Sequence, residues 1–478
     1  MFIVEKSGYI SIPNYKFHDS ELLENMLSEF NELSFKKEYY GLSYDGETEE
    51  LRIPSGFGVY RLEKILKEHC THEVNETDFR SLNIELEVYP RDFIQEEIIE
   101  KFMKTKKSQF CINANTGIGK TYCAINCAVK LNMVTIIICH SSKLQNHWKE
   151  KILHYTNISP ESIATIDSSA KMVKAIKEPN KYKIFVITHQ TLNSFAKKQS
   201  WNYIEELFEL FGAGLTIIDE VHRFFTNTVK ILTHTNTRKY LLLTATFMQS
   251  SKKRNVVFQN CFENIPKWIQ SDETSEKKQN HINGYLICFN SKPSKETQSS
   301  CELRKLFNNV LYTNYLVTKN KLFYIIYDKY LSYCMNAVKK FNGKGLIFCG
   351  SINACDILAE RAKDMFTDFT IGKYHSQLKL NQQEKENILN ISDVIFTTSK
   401  SLGEGADIKN LHYIIDIEAF RSKILCEQIP GRLRNLNDGY KFNYFKISDI
   451  GFFKVHQQIN KCKYIWNNNF NSLKIRNL

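Results

Sequence analysis

Residues 114–121 read ANTGIGKT and residues 219–222 read DEVH. The first segment follows an apolar strand-like run, FCIN, and opens an apolar helical run, the setting in which a glycine-rich stretch becomes a phosphate loop. Glycines at 117 and 119 let the chain curl, so that the backbone of Asn115, Thr116, Gly117, Ile118 and Gly119 can wrap a phosphate at a helix N-terminus. Lys120 would reach the β- and γ-phosphates and Thr121 would ligate Mg²⁺. In the second segment two carboxylates end the apolar strand LTIID, where open α/β sheets bind ligands. Asp219 would hold hydrated Mg²⁺, and Glu220 would orient and deprotonate an attacking water. Together the two segments specify nucleoside triphosphate hydrolysis.

A third segment, EQIPGRLRN at 427–435, carries two arginines one residue apart, although Arg supplies only 13 of the 64 basic side chains. A guanidinium stays charged and offers a planar fork matched to phosphate oxygens, which an ammonium does not. Arg432 and Arg434 thus point to a partner that needs a planar, permanently charged donor.

The elements that must position these groups follow from the apolar rhythm. Short β-branched runs at FCINA, VTIIICH, KIFVITH, LTIID and YLLLTAT alternate with helical stretches over 87–268, as a parallel sheet covered on both faces requires. The rhythm resumes over 284–468 with GYLICF, GLIFCG, DVIFTTS, LHYIIDI and YFKIS. The polar segment 269–283 reads as a linker, and 469–478 as a tail. Residues 1–86 form a small α+β accessory domain, with a helix DSELLENMLSEFNEL capped by Ser20 and a strand–turn–strand unit around Asp45-Gly46. The fold class is α/β, two parallel-sheet lobes flanked by helices. The aromatic helix at 320–341 either packs its lobe or stacks bases.

A formal charge of +12 favours a polyanionic partner, although a lysine-rich solvated surface accounts for it equally well. Thirteen cysteines contain no C-x-x-C pair, so reduced thiols are expected and Cys123 and Cys127 read as small apolar residues of a buried helix face. No signal peptide or membrane-length apolar run is evident, which predicts a soluble intracellular protein.

The ordered motifs resemble those of the superfamily 2 helicases and translocases, built from two RecA-like lobes. ANTGIGKT resembles their motif I, DEVH motif II of the DExH subgroup, and LLLTATF motif III. ICHSSKLQNHW and VITHQTL resemble motifs Ia and Ib, which implies nucleic-acid backbone contacts from Ser141, Ser142, Thr188 and His189. TTSKSLGEGADI resembles motif V, with Thr398 on nucleic acid and Glu404, Gly405 and Asp407 matching the pattern; the last two would face the nucleotide. QIPGRLR resembles motif VI, which implies that Arg432 or Arg434 stabilises charge on the γ-phosphate, with Gln428 assisting. Arg91 and Gln95 stand where the family reads adenine, so ATP with Mg²⁺ is the implied substrate pair. The family pattern ends Gln-x-x-Gly-Arg-x-x-Arg, whereas here Asn435 holds the last place and Arg434 comes one residue early; Arg432 is the safer finger, reaching across the cleft between lobes.

Layout and the QNHW segment are similar to DNA-dependent members related to the XPB helicases. Size and Lys/Asn/Ile-rich composition are similar to the poxvirus transcript-release helicases. That resemblance implies sequence-tolerant binding of single-stranded or duplex DNA, with RNA polymerase and transcription factors as partners in transcription termination. It also implies residence in the virion and host cytoplasm. An RNA-dependent DExH helicase, or a binding subunit that has lost turnover, are the other readings. Lys120→Ala is expected to abolish ATP turnover, and Glu220→Gln to keep ATP binding while stopping hydrolysis; unaltered rates in either variant refute these roles.

Overall fold

The computed structural model describes residues 2–13, 43–45, 50–66, 70–75, 78–114, 117–245, 252–269, 279–303, 306–378, 380–402, 408–419, 426, 429–433 and 442–478. The chain divides into two compact units, residues 1–270 and 271–478.

In the first unit seven strands form one parallel sheet. They are β6 (Gln109–Asn113), β7 (Thr135–Cys139), β8 (Ile163–Ile166), β9 (Ile184–Thr188), β10 (Leu215–Ile218), β11 (Lys239–Thr244) and β12 (Lys267–Ile269), in the order β12-β6-β11-β10-β7-β9-β8. Every pairing is parallel. The central strand β10 is buried throughout, as its run LTII requires. Side chains alternate between two cores: Ile136, Ile138, Ile218 and Leu242 face one, and Ile137, Ile217, Leu241 and Leu243 the other.

The N-terminal strands β1 (Phe2–Lys6), β2 (Tyr9–Pro13), β3 (Ser43–Asp45), β4 (Glu50–Pro54) and β5 (Thr71–Asn75) form a separate sheet ordered β3-β4-β2-β1-β5. The expected strand–turn–strand unit is the antiparallel pair β3–β4; the helix expected after Ser20 lies outside the described residues. Ile10, Ile12, Leu51, Ile53 and Phe57 of this region share one core with the large sheet. The boundary read at 86/87 therefore falls inside a packed unit. Arg52, 5% exposed, completes the join: its guanidinium lies over Tyr9, 4.9 Å from the ring centroid, and 3.6 Å from the Glu205 carboxylate. At Gly8 the two parts approach so closely that a Cβ would come within 2.3 Å of the Leu232 carbonyl.

The second unit holds another seven-stranded parallel sheet, β17-β18-β16-β19-β20-β13-β21. Its strands are β13 (Gln279–Phe289), β16 (Lys344–Phe348), β17 (Ile371–Tyr374), β18 (Val394–Thr397), β19 (Leu411–Asp416), β20 (Phe442–Asp449) and β21 (Phe470–Asn477). A two-stranded ribbon, β14 (Glu302–Leu303) with β15 (Leu306–Phe307), is separate. Two expected boundaries change. Residues 279–283, assigned to the linker, enter β13, and the tail at 469–478 is β21, in parallel register with β13 from Asn283↔Ser472 to Cys288↔Asn477. Polar composition hid both, because β21 is an edge strand with mostly solvated side chains. In the helix Lys321–Phe341 Phe323, Tyr327 and Tyr330 are buried, so these rings pack the lobe.

All thirteen cysteines are free thiols. Cys123 and Cys127 are buried in the helix Lys120–Leu131, and burial raises both thiols. Among the described residues no helix is long and apolar enough to cross a membrane, and no cluster could hold a metal by His, Cys, Asp and Glu alone.

Ile53 is fully buried in the shared core, so Ile53→Ala is expected to cost about 2–5 kcal/mol. In chemical denaturation this loss should move the small sheet and the large sheet of the first unit in one transition. A separate, earlier transition for the small sheet would show that the core is not shared.

Candidate functional site

The chemistry-bearing residues of the first unit sit where parallel strands end and helices begin. After β6 the chain passes Ala114, whose N–H is bonded to the Thr244 carbonyl at the end of β11. Asn115 and Thr116 lie outside the described residues. Gly117 and Gly119 have φ of 96° and 94°, a left-handed backbone that favours glycine. A Cβ at Gly117 would meet nothing within 4 Å, so that side of the loop is open. Gly119 caps the helix Lys120–Leu131, whose first turn carries Lys120 and Thr121 and directs its N–H groups and positive dipole end toward the loop. The Lys120 ammonium donates to the Ala114 carbonyl at 2.6 Å. Burial lowers its pKa, and Glu220 and Asp219 oppose that shift, which puts both carboxylates within electrostatic reach.

Asp219 extends β10 by one rung, its N–H donating to the Ile138 carbonyl at 2.9 Å. Burial, and then the neighbouring Glu220, raise its carboxyl to about 6, while the Trp148 indole N–H, donated to Oδ2 at 3.1 Å, and Lys120 pull it down. At Glu220 the backbone turns left-handed, φ 54°, a strained conformation for a residue with a side chain. Glu220 Oε2 is buried and has no hydrogen-bond partner among the described residues; His222 Nδ1 stands 3.4 Å away and is itself 2.8 Å from Thr244 Oγ1. Two adjacent carboxylates, one with a buried oxygen that no donor reaches among the described residues, beside an open glycine loop are a fit for a cation. Asp219 and the Thr121 hydroxyl are the groups that would hold Mg²⁺, which when bound neutralises charge on phosphate oxygens.

Gln95 is 4% exposed. Its Nε2 donates to the Ile118 carbonyl at 2.9 Å and its Oε1 accepts the Arg91 N–H at 2.8 Å. The Arg91 guanidinium reaches the Gly117 carbonyl at 3.4 Å. Both residues therefore brace the glycine loop directly.

A polar groove of about 260 Å³ lies along the ends of β7, β8 and β9. Three helices start there: Ser142–Tyr155 capped by Ser141, Ser169–Lys177 capped by Ser168, and His189–Lys198 capped by Thr188. Ser141, Ser142 and Thr188 line it, joined by Ser168, Thr191 and Ser194, which the sequence reading missed. Each cap was visible as Ser or Thr at a strand-to-helix junction; the short strand β8 was not recognised, and Ser168 was lost with it. His189 is not among the lining residues. It is 2% exposed, and burial together with His140 lowers its imidazole to about 3, so the ring is neutral.

In the second unit Thr398 begins the short helix Ser399–Leu402, bonded through Oγ1 to Ser401 Oγ at 2.9 Å. The Ser399 N–H donates to Glu418 Oε1 at 2.9 Å, which ties this segment to the end of β19. Buried Asp416 sits beside it, 3.2 Å from the Lys446 ammonium and accepting the Tyr444 hydroxyl at 2.5 Å. Arg432 ends a 3₁₀ turn, Pro430–Arg432, and is half-buried. Glu404, Gly405, Asp407, Gln428, Arg434 and Asn435 lie outside the described residues.

Two family models match the chain. One, described as the Type III restriction enzyme, res subunit, covers residues 88–249, and the other, the helicase conserved C-terminal domain, covers 328–436. The chain thus joins the two domains of a superfamily 2 helicase. A putative ATP-dependent RNA helicase of Acanthamoeba polyphaga mimivirus is 24% identical over 63% of this chain and 52% of its own length. The transcription and DNA repair factor IIH helicase/translocase subunit XPB of Enterocytozoon bieneusi is 25% identical over 52% of this chain and 40% of its own. A putative helicase of invertebrate iridescent virus 6 is 29% identical over 30% of each chain. The chain thus spans about half the length of these relatives, or less. Among solved structures, Mss116p bound to single-stranded RNA and AMP-PNP superposes with a TM-score of 0.54 at 14% identity, over 80% of this chain and 73% of that one. Saccharomyces cerevisiae Dbp5 bound to RNA and ADP BeF₃ gives 0.52 at 13%, over 80% and 89%. These two share the fold.

Because the Asp219 carboxyl is raised in the folded state, the folded protein binds that proton more tightly than the unfolded chain does. Its stabilising contribution is complete below the unfolded pKa of about 4 and is lost as pH rises through about 6. Denaturant titrations of nucleotide- and metal-free protein across this window should show the decline, and Asp219→Asn should remove it. Trp148→Phe, which deletes the indole donor, is expected to move the titration to higher pH. A Trp148→Phe protein titrating at or below the parent value would show that the indole does not act on the carboxylate.

Proposed function

We propose that the chain is an ATP-driven DNA translocase or helicase that acts in viral transcription, at transcript release or termination. The observation carrying this reading is that Lys120, Asp219 and Glu220 share one sheet end with a groove at three helix N-termini, lined mainly by hydroxyls, with the carboxylate of Asp167 paired to Lys171. The first three groups suit a triphosphate. The groove suits a phosphodiester backbone, because hydroxyls and helix N-termini contact phosphate oxygens without reading bases.

In this reading the glycine loop and Lys120 bind the phosphates of ATP, with the backbone of Asn115, Thr116, Gly117, Ile118 and Gly119 around them. Gln95 and Arg91 keep the loop in its open shape near the base. Glu220, orphaned on Oε2, orients a water and accepts its proton. Ser141, Ser142, Thr188 and Thr398 hold nucleic-acid backbone. From the second unit Arg432 or Arg434 serves the γ-phosphate, assisted by Gln428, with Gly405 and Asp407 beside the nucleotide. The DNA assignment draws on the XPB relatives, which are named for transcription and DNA repair. Partners on this view are DNA, RNA polymerase and transcription factors, in virion and host cytoplasm.

An RNA substrate is the second reading, favoured by the mimivirus relative's name. ATP turnover measured with single-stranded DNA, duplex DNA and RNA decides between them. Stimulation by DNA, falling steeply as salt rises, is expected. Stimulation by RNA alone would transfer the assignment to RNA, and turnover indifferent to every nucleic acid would overturn the translocase reading.

A further inference from the structure

The groove and the catalytic carboxylates are joined by a ring contact that the hydrolytic chemistry does not use. Cys139 and Thr188 are register partners on β7 and β9, so the residues that follow them, His140 and His189, emerge side by side. Both imidazoles stack on one ring. Phe224 lies 5.7 Å from His140 and 5.0 Å from His189, centroid to centroid, with interplanar angles of 19° in each case. His140 lines the groove, and His189 directly follows the groove residue Thr188.

Phe224 is out of place by local rules. It occupies the N-cap of the helix Phe225–Thr233, where Ser, Thr, Asp or Asn would supply an acceptor, and no side-chain cap bond is made. His189 is equally uneconomical: it is buried, and neither ring nitrogen has a hydrogen-bond partner among the described residues. Two local costs at one contact indicate that the contact itself is what the fold preserves. On the other side Phe224 is four residues from Glu220 through a tight turn, closed by the Arg223 N–H donating to the Glu220 carbonyl at 2.9 Å. Glu220 there has the left-handed backbone.

We propose that Phe224 is a positioning residue: through its stack on His140 and His189 it sets the Glu220 carboxylate according to whether the groove is occupied. A strand bound in the groove fixes the ends of β7 and β9, the imidazoles carry that constraint to the ring, and the turn carries it to Glu220. The proposal rests on the reading of the groove as a nucleic-acid site.

The test uses the full chain and three measurements: affinity for a fluorescent single-stranded DNA, basal ATP turnover, and turnover with saturating DNA, resolved into kcat and KM. Should RNA be the activator of the parent protein, the same measurements use RNA. In Phe224→Leu the affinity and basal turnover are expected to stay at parent values while the stimulation ratio falls to near one, through kcat rather than KM. His189→Phe, which keeps the ring contact, is expected to keep the ratio. Parent-level stimulation in Phe224→Leu overturns the proposal. So does an equal fractional loss of basal and stimulated turnover, or a loss of affinity that accounts for the lost stimulation. If Phe224→Leu does not fold by circular dichroism, His189→Leu is read by the stimulation ratio on the same terms. A parent protein that ignores nucleic acid removes the functional reading first; a responsive parent with an equally responsive variant removes only this inference.

Discussion

The end of β10 is the constraint on which the first unit depends. A strand buried on both faces cannot place a charged group along its length, so its carboxylates come only where the ladder stops. Asp219 remains on the ladder through the Ile138 carbonyl, and Val221 bonds the Leu243 carbonyl on the other neighbouring strand at 3.1 Å. Glu220, between them, is held left-handed by two strands at once. Such strain persists only where the surroundings over-determine it. The indole of Trp148 and the His222–Thr244 pair then fix the polar surroundings of the carboxylates.

The same geometry builds the groove. Parallel strands deliver their C-terminal ends to one edge, and each following helix presents its N-terminus there, so caps and dipoles accumulate on one side of the sheet. Ser141, Ser168 and Thr188 satisfy their own helices' first N–H groups and line the groove together. Triphosphate chemistry and backbone binding are thus neighbours because of the topology, and the helix Ser142–Tyr155 physically spans the two, with its cap at the groove and Trp148 at Asp219.

In the second unit the corresponding anchor is buried charge. Asp416 and Lys446 are almost completely removed from solvent. A buried ion pair adds little net stability after desolvation, but removing one partner leaves an uncompensated charge. Here the pair sits beside Glu418, whose carboxylate accepts the Ser399 N–H, so it fixes where the segment after Thr398 begins.

What the sequence by itself determined were the features carried by contiguous residues. The apolar β-branched runs located ten of the sheet strands, the glycine spacing located the phosphate loop, and adjacent acids after an apolar run located Asp219 and Glu220. Tertiary structure decided what depends on pairing across long separations. Strands β8, β12 and β17 are too short, and β21 too polar, to announce themselves, and they exist because a neighbour's edge accepts them. The burial of Gln95 against the glycine loop, the N–H that Trp148 donates to Asp219, and the ring contact of Phe224 with two histidines join residues that no local pattern connects. The merging of the N-terminal sheet into the core of the first unit was hidden for the same reason: an apolar face states that it must be covered, and only packing selects what covers it.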